Sequence, residues 1–210
     1  MNFIDIIFIV SFAVILASLT GLRTFLPITT FSILAKFNLI KINIYNSTFY
    51  NFITDDRVIL VFLIATILEL LADKIPALDN FLDNVLIFIK PIFSFILNYN
   101  LLNSLNLSDW QLFLISLSLS LFLTGSMSAS KNVIRLTSTA STLGTFNIFI
   151  SFLEDLVVII KTVLSGVFIL FSVIFAFGII ILSSFLFYKV LKNKILKIRN
   201  LKEIDEKGII

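Results

Sequence analysis

Apolar residues occupy this chain in long blocks, separated by small groups of charged and hydroxylated residues. A helix that crosses the hydrocarbon layer of a bilayer needs about 20 mostly apolar residues. Six segments meet or approach that length, at about 4–20, 58–72, 81–98, 110–129, 146–164 and 167–188. None shows the two-residue alternation of a membrane β-barrel strand. The pattern therefore predicts an all-α fold, a polytopic transmembrane helical bundle of about six spans. Ser165-Gly166 is the turn signal between the last two. The first segment reads as a retained helix. It carries Asp5 where a cleaved leader has basic residues, and it lacks an A-x-A cleavage site.

One stretch breaks the simple count. Apolar character resumes after Gly21-Leu22-Arg23, so the run from Ile4 is too long for one span, and it contains Pro27. Proline removes a backbone donor and interrupts a helix. Two readings follow: a kinked first helix, or a half-helix over 24–35 that dips back.

Composition sharpens the class. Of the 210 residues, 59% are hydrophobic and 14% are charged, against about 25% charged in soluble domains. A water-soluble globule of this size could not hide that much apolar surface. This excludes a soluble enzyme, a nucleic-acid-binding domain and a disordered chain, and makes the lipid bilayer the chain's main partner. There is no His and no Cys, so thiol or imidazole catalysis and ordinary zinc sites are excluded. No metal site and no cofactor is expected.

The net charge of +3 is unevenly placed: residues 189–207 hold seven basic and three acidic side chains. Two regions follow: a transmembrane helical domain over 1–190 and a basic tail over 191–210. Cytoplasmic loops carry excess Lys and Arg, so the tail is expected in the cytoplasm and the protein in the cell (inner) membrane. Six spans would then place the N-terminus in the cytoplasm too.

Ionisable groups within a span cost roughly 2.5–3.5 kcal/mol each on insertion scales and usually face a partner or a watery cavity. Glu69 and Asp73 are four apart, on one helical face. Lys131 and Arg135 repeat that spacing as a cationic pair. Glu154-Asp155 lies inside the fifth apolar segment, and Arg23 ends the first. Asp79 is placed to cap the third helix. The hydroxyl-rich run from Thr137 to Gly144 reads as a break between spans, and helices are expected to be interrupted after Arg23 and before Phe146. The polar punctuation of the two halves is alike. Three spans per half would make them inverted repeats, a layout that places transport sites at the repeat interface.

The same residues carry a resemblance. Gly21-Leu22-Arg23-Thr24-Phe25-Leu26-Pro27, the string Glu69-x-x-x-Asp73-Lys74-Ile75-Pro76-x-x-Asp79, the run from Lys131 to Arg135, Ser138-Thr139, and Ser151-Phe152-Leu153-Glu154-Asp155 resemble a bacterial membrane family catalogued as domain of unknown function 4126. The resemblance covers about residues 5–190. The chain departs from it at Ile148, where that family's pattern has Pro after Asn. The resemblance implies that these motif positions recur, and it implies no activity.

The expected function is movement of a small solute, ion or lipid headgroup, without catalysis, through a charged site at the repeat interface. Glu69, Asp73, Glu154 and Asp155 would bind a cation or proton. Arg23, Lys131 and Arg135 would bind an anionic group or pair with those carboxylates. The alternative is a membrane scaffold or assembly factor whose charges only lock helices together.

Overall fold

A computed structural model of the chain describes residues 2–40, 48–74, 76–142, 146–182, 184, 185 and 188, with the backbone alone at 76–84, 136 and 140–142. The basic tail over 191–210 lies outside the described residues. Those described form helices and short connections, with no strand among them. In order these are α1 (Phe3–Leu22), α2 (Leu26–Lys36), α3 (Thr48–Thr54), α4 (Asp56–Ala72), α5 (Pro76–Leu102), α6 (Asp109–Leu119), α7 (Gly125–Thr142) and α8 (Asn147–Val167), then α9 (Ile169–Leu182). A π-helical turn (Ser120–Thr124) joins α6 to α7 into one rod.

Three stretches are long and apolar enough to cross a membrane: Phe3–Leu22, Val85–Leu105 and Asp109–Thr139. α2 and α9 are apolar but shorter. Rows of large apolar side chains on α4, α5, α8 and α9 face outward, among them Leu60, Ile64, Leu68, Phe88, Ile92, Phe152 and Ile181. Such contiguous apolar exposure marks a membrane-facing surface. The fold is that of a helical membrane protein.

α1 is the central post. It is buried almost all round from Phe8 to Gly21, as a helix apolar on every face must be. Phe8, Phe12, Leu16, Phe31, Leu97, Leu101 and Leu112 form the larger core cluster around it. Small residues let the rod approach closely. The Thr124 hydroxyl donates to the Ala17 carbonyl at 2.7 Å, and the Ser128 hydroxyl to that of Gly21 at 2.9 Å. Close packing through small residues, tied by hydroxyls, is how helices associate where lipid removes the hydrophobic drive.

Helix directions follow from these contacts. Ala17 meets Thr124, Gly21 meets Thr124, Met127 and Ser128, and Phe8, Phe12 and Leu112 share a cluster, so α1 and the α6–α7 rod run parallel. α2 and α4 are antiparallel: Thr29 bonds Thr66 and the Phe62 carbonyl, while Lys36 pairs with Asp56. α8 and α9 form a hairpin, since Val158 clusters with Ala176 and Ile179, and Lys161 lies over the Phe175 ring. α1, α4, the rod and α9 therefore run toward one end of the bundle, and α2, α5 and α8 run away from it.

The stretch after Arg23 is a separate helix, α2, laid back antiparallel to α4, the second of the two readings. By the directions above, the start of α1 and the end of α9 lie at opposite ends of the bundle. The grouping expected from sequence gives α1 and the rod matching places in two inverted halves, yet these two helices run in the same direction.

Other differences are local. α5 begins at Pro76, a residue that suits a first helical turn, so Asp79 lies inside the helix rather than at its cap. α7 continues through Thr142, with hydroxyls of the expected break folded back on its own carbonyls: Thr137 on Val133 and Ile134, Thr139 on Arg135; the rest of that break, 143–144, lies outside the described residues. α8 starts at Asn147 with Ile148 in its first turn, so this chain begins the helix without the family's proline.

Gly21 should be intolerant of any side chain. A Cβ there would sit 2.6 Å from the Thr124 carbonyl oxygen and 2.8 Å from Met127 Cβ. We expect Gly21→Ala to destabilise the detergent-purified protein by about 1–3 kcal/mol. Gly125→Ala meets nothing within 4 Å and should be neutral or stabilise by up to about 1 kcal/mol. Paired thermal melts check both, and equal melting of the two variants would contradict the packing described.

Candidate functional site: a buried charge network

The site lies at the end of the bundle where α1 and α4 finish and α5 and α8 begin. It starts from the break after α1. Arg23 caps that helix in an extended conformation (φ −134°, ψ 130°), its N–H donating to the Leu19 carbonyl. This turns the chain and leaves the N–H groups of Thr24 and Phe25 without helical partners. Glu69 of α4 supplies them, its two carboxylate oxygens accepting from Thr24 N at 2.7 Å and Phe25 N at 3.0 Å. A carboxylate at the start of a helix also meets the positive end of its dipole. α2, with Pro27 in its first turn, is thus capped from a neighbouring helix.

The Arg23 side chain is fully buried, and three carboxylates converge on it. Its Nη1 pairs with Asp73 Oδ2 of α4. Its Nε lies 2.7 Å from Asp155 Oδ1, an ion pair without the alignment of a hydrogen bond. Its Nη2 lies 3.8 Å from Glu154 Oε2 and donates to the Ser151 hydroxyl at 2.8 Å and carbonyl at 3.2 Å. The planar fork of an arginine suits this convergence, where lysine offers one point charge.

Arg135 of α7 closes the ring. Its Nη2 lies 2.9 Å from Asp73 Oδ2 and 3.2 Å from Glu154 Oε2. Two guanidiniums therefore share two carboxylates, with Asp155 held by Arg23. Ser151 links the parts: its hydroxyl donates to Asp73 at 3.4 Å and accepts from Lys74 Nζ at 3.3 Å. Exposure is graded across the network, from 0% for the Arg23 side chain through 5% for Asp73 to 14% for Asp155. Lys74, which is exposed, lies on the outward side.

Five of the seven candidate residues meet in this network: Arg23, Asp73, Arg135, Glu154 and Asp155. Glu69 stands one turn before Asp73 and grips the same chain segment by its backbone. Lys131 is buried one turn before Arg135 on the same face of α7. Lys161 is placed elsewhere, against the Phe175 ring at 5.9 Å. The side chains of Asp79 and Asp83 lie outside the described residues. Sequence reasoning passed over the linking role of Ser151. It placed Lys90, beside Pro91, in the middle of the third segment and gave it no role; Lys90 is buried in the middle of α5. Among the described residues no group of three or more acidic side chains is arranged to hold a metal ion.

The arrangement can neutralise charge at low dielectric, exchange partners between guanidiniums and carboxylates, and join four helices. Breaking a buried pair leaves an uncompensated charge and costs roughly 3–5 kcal/mol. We expect Arg23→Ala to lose about that much in thermal or denaturant melts. Arg23→Lys should recover only part of it, because one ammonium cannot reach Asp73, Glu154 and Asp155 together. Full recovery by lysine would show that charge alone, not the fork, holds the site.

No curated protein and no solved structure matches the chain. A family model matches it over residues 10–190, the span that contains every residue of the network. The chain belongs to the family described as Domain of unknown function (DUF4126).

Proposed function

We propose that this chain is a small membrane transporter or channel-like protein that moves a small solute, ion or lipid headgroup, with the charge network as a closed gate at one end of a polar route. The observation that carries the reading is what lies behind the network. Lys131, Thr124, Ser120 and Ser116 follow one another along the rod, and Lys90, Ser94 and Asn98 recur every fourth residue on α5. All seven are buried. Ionisable and polar groups inside an apolar bundle are expensive and mark pathways. An arriving cation or proton would compete for Asp73, Glu154 and Asp155, and an anionic headgroup for Arg23, Lys131 and Arg135. The reading assigns binding, and no bond-making chemistry, to these residues.

In this reading the network end faces the cytoplasm of a cell (inner) membrane, by the rule that cytoplasmic segments carry excess Lys and Arg. The tail after α9 follows that end. The segment before α1 would then lie outside, which this reading reaches by counting α2 as a pass through the membrane. Single cysteines placed at position 2 and within 191–210 of this Cys-free chain should be labelled from opposite sides of the membrane. Labelling of both from one side would reject the assignment of sides.

One observation favours the structural alternative, in which the charges only lock helices: Arg23 is fully buried and engages acceptors of its own chain. Two variants separate the readings. For the gate, Glu154→Gln should keep the parent melting temperature, because an amide oxygen still accepts from Arg135. It should lose flux in proteoliposomes and any stabilisation by sodium, potassium, chloride, phosphate or glycerol phosphate. A ligand that binds only the native state adds about 2.7 kcal/mol at one hundred times its dissociation constant, enough to read in a melt. The structural reading expects no flux and no ligand shift in the parent, with large melting losses in Glu154→Gln and Arg135→Ala.

A further inference from the structure

A second polar site lies deeper in the bundle, between α5 and the π-helical turn. Ser94 and Asn98 share one face of α5, and Ser116 and Ser120 share one face of the rod, each pair four residues apart. All four are fully buried. The Asn98 amide nitrogen donates to Ser94 Oγ at 3.3 Å and, at a long 3.5 Å, to Ser120 Oγ. The Ser120 hydroxyl is committed to the Ser116 carbonyl at 2.7 Å. Two atoms are left over: Asn98 Oδ1 and Ser116 Oγ are buried without a hydrogen-bond partner.

Unmet polar atoms in an apolar interior cost more than apolar side chains of the same shape would. The surroundings are apolar, with Leu97, Leu101, Leu112 and Leu123 all buried. Ser120 also opens the π-helical turn, a local widening that is frequent at functional sites. The leftover atoms define the missing guest. Asn98 Oδ1 is an acceptor and needs a donor. The Ser116 hydroxyl can donate or accept. An anion would face the lone pairs of Oδ1. A hard divalent cation takes about six or more oxygen ligands, and only these two oxygen atoms are left over.

We propose that Ser94, Asn98, Ser116 and Ser120 form a binding site for a small neutral guest that both donates and accepts hydrogen bonds, either water or the hydroxyl or amide of a small solute. The inference does not rest on the gate. A purely structural charge network would leave it standing, and a failed transport assay would not touch it.

The test is radiolytic hydroxyl labelling of the full-length, detergent-purified chain, read residue by residue. Radicals formed on a bound water, or relayed by a bound solute, modify neighbours that bulk radicals do not reach. Leu101 and Leu123, each three residues beyond a site residue, should label several-fold above Leu16 and Leu19, which are equally buried on α1. Ser116→Ala, a mild change that removes one leftover atom, and Asn98→Leu should each return Leu101 and Leu123 to the α1 level. Preincubation with formamide or ethylene glycol identifies the source. Altered labelling with a raised melting temperature marks a solute, and unchanged labelling marks water. Background labelling of Leu101 and Leu123 in the parent would overturn the proposal, as would a Ser116→Ala variant that melts higher than the parent with its labelling unchanged. Labelling that responds to sodium or chloride instead of neutral solutes would overturn it too.

Discussion

A fully buried arginine in an apolar bundle dictates much of this structure. Arg23 sits where α1 ends, away from water, and its charge must be met by the protein itself. Asp73 from α4 and Glu154 and Asp155 from α8 meet it, and Arg135 from α7 balances the excess of carboxylates. Lys74 joins at the edge through Ser151. Four helices are thereby brought to one point at one end of the bundle. In lipid there is little hydrophobic force to hold helices together, so such contacts and close packing have to do it.

The same constraint explains the shape of the first half. For Arg23 to reach α4 and α8, the chain has to leave the α1 axis there, and the extended residue that turns it exposes two backbone donors. Asp73 and Glu69, on one face of α4, hold the two products of that break: Asp73 takes the side chain of Arg23, and Glu69 takes the N–H groups of Thr24 and Phe25. The break, the start of α2 and the antiparallel packing of α2 on α4 form one construction. Beside it, Gly21 lets the rod approach α1 closely enough for the Ser128 hydroxyl to reach the Gly21 carbonyl, one residue before the end of that helix.

Much of this was legible in the sequence. Charges inside apolar blocks are rare enough to mark Arg23, Asp73, Arg135, Glu154 and Asp155 directly, and four-residue spacing placed Glu69 and Asp73 on one face. Pairing of the arginines with these carboxylates was one of two expected roles, but which partners meet was not legible, because spacing gives neighbours along a helix and not partners across helices. The separate helix α2 was one of two readings left open by the sequence, because an apolar run broken by a proline fits a kink as well as a helix that turns back, and its eleven residues fall short of a membrane span by length. The hydroxyls over 137–142 misled for a physical reason: serine and threonine can satisfy their polarity on the preceding turn of their own helix, so they need not break it. Ser151 and the Asn98 group gave the weakest signal, since single hydroxyls and amides cost little in an apolar segment beside a charge.

The network's redundancy is unequal, and that bears on what it can do. Asp73 and Glu154 are each within reach of both guanidiniums, while Asp155 meets only that of Arg23, with Lys74 as a further cation nearby. Removing Arg135 from the ring leaves every carboxylate near a guanidinium, whereas removing Arg23 leaves Asp155 with only the attraction of Lys74. Arg23 is therefore the fixed member, on a helix buried on all sides. Arg135 lies nearly two turns beyond the Ser128 contact that pins α7 to α1. On the gate proposed above, Arg23 would stay neutralised by the carboxylates of α4 and α8 while Arg135 moved with the end of α7.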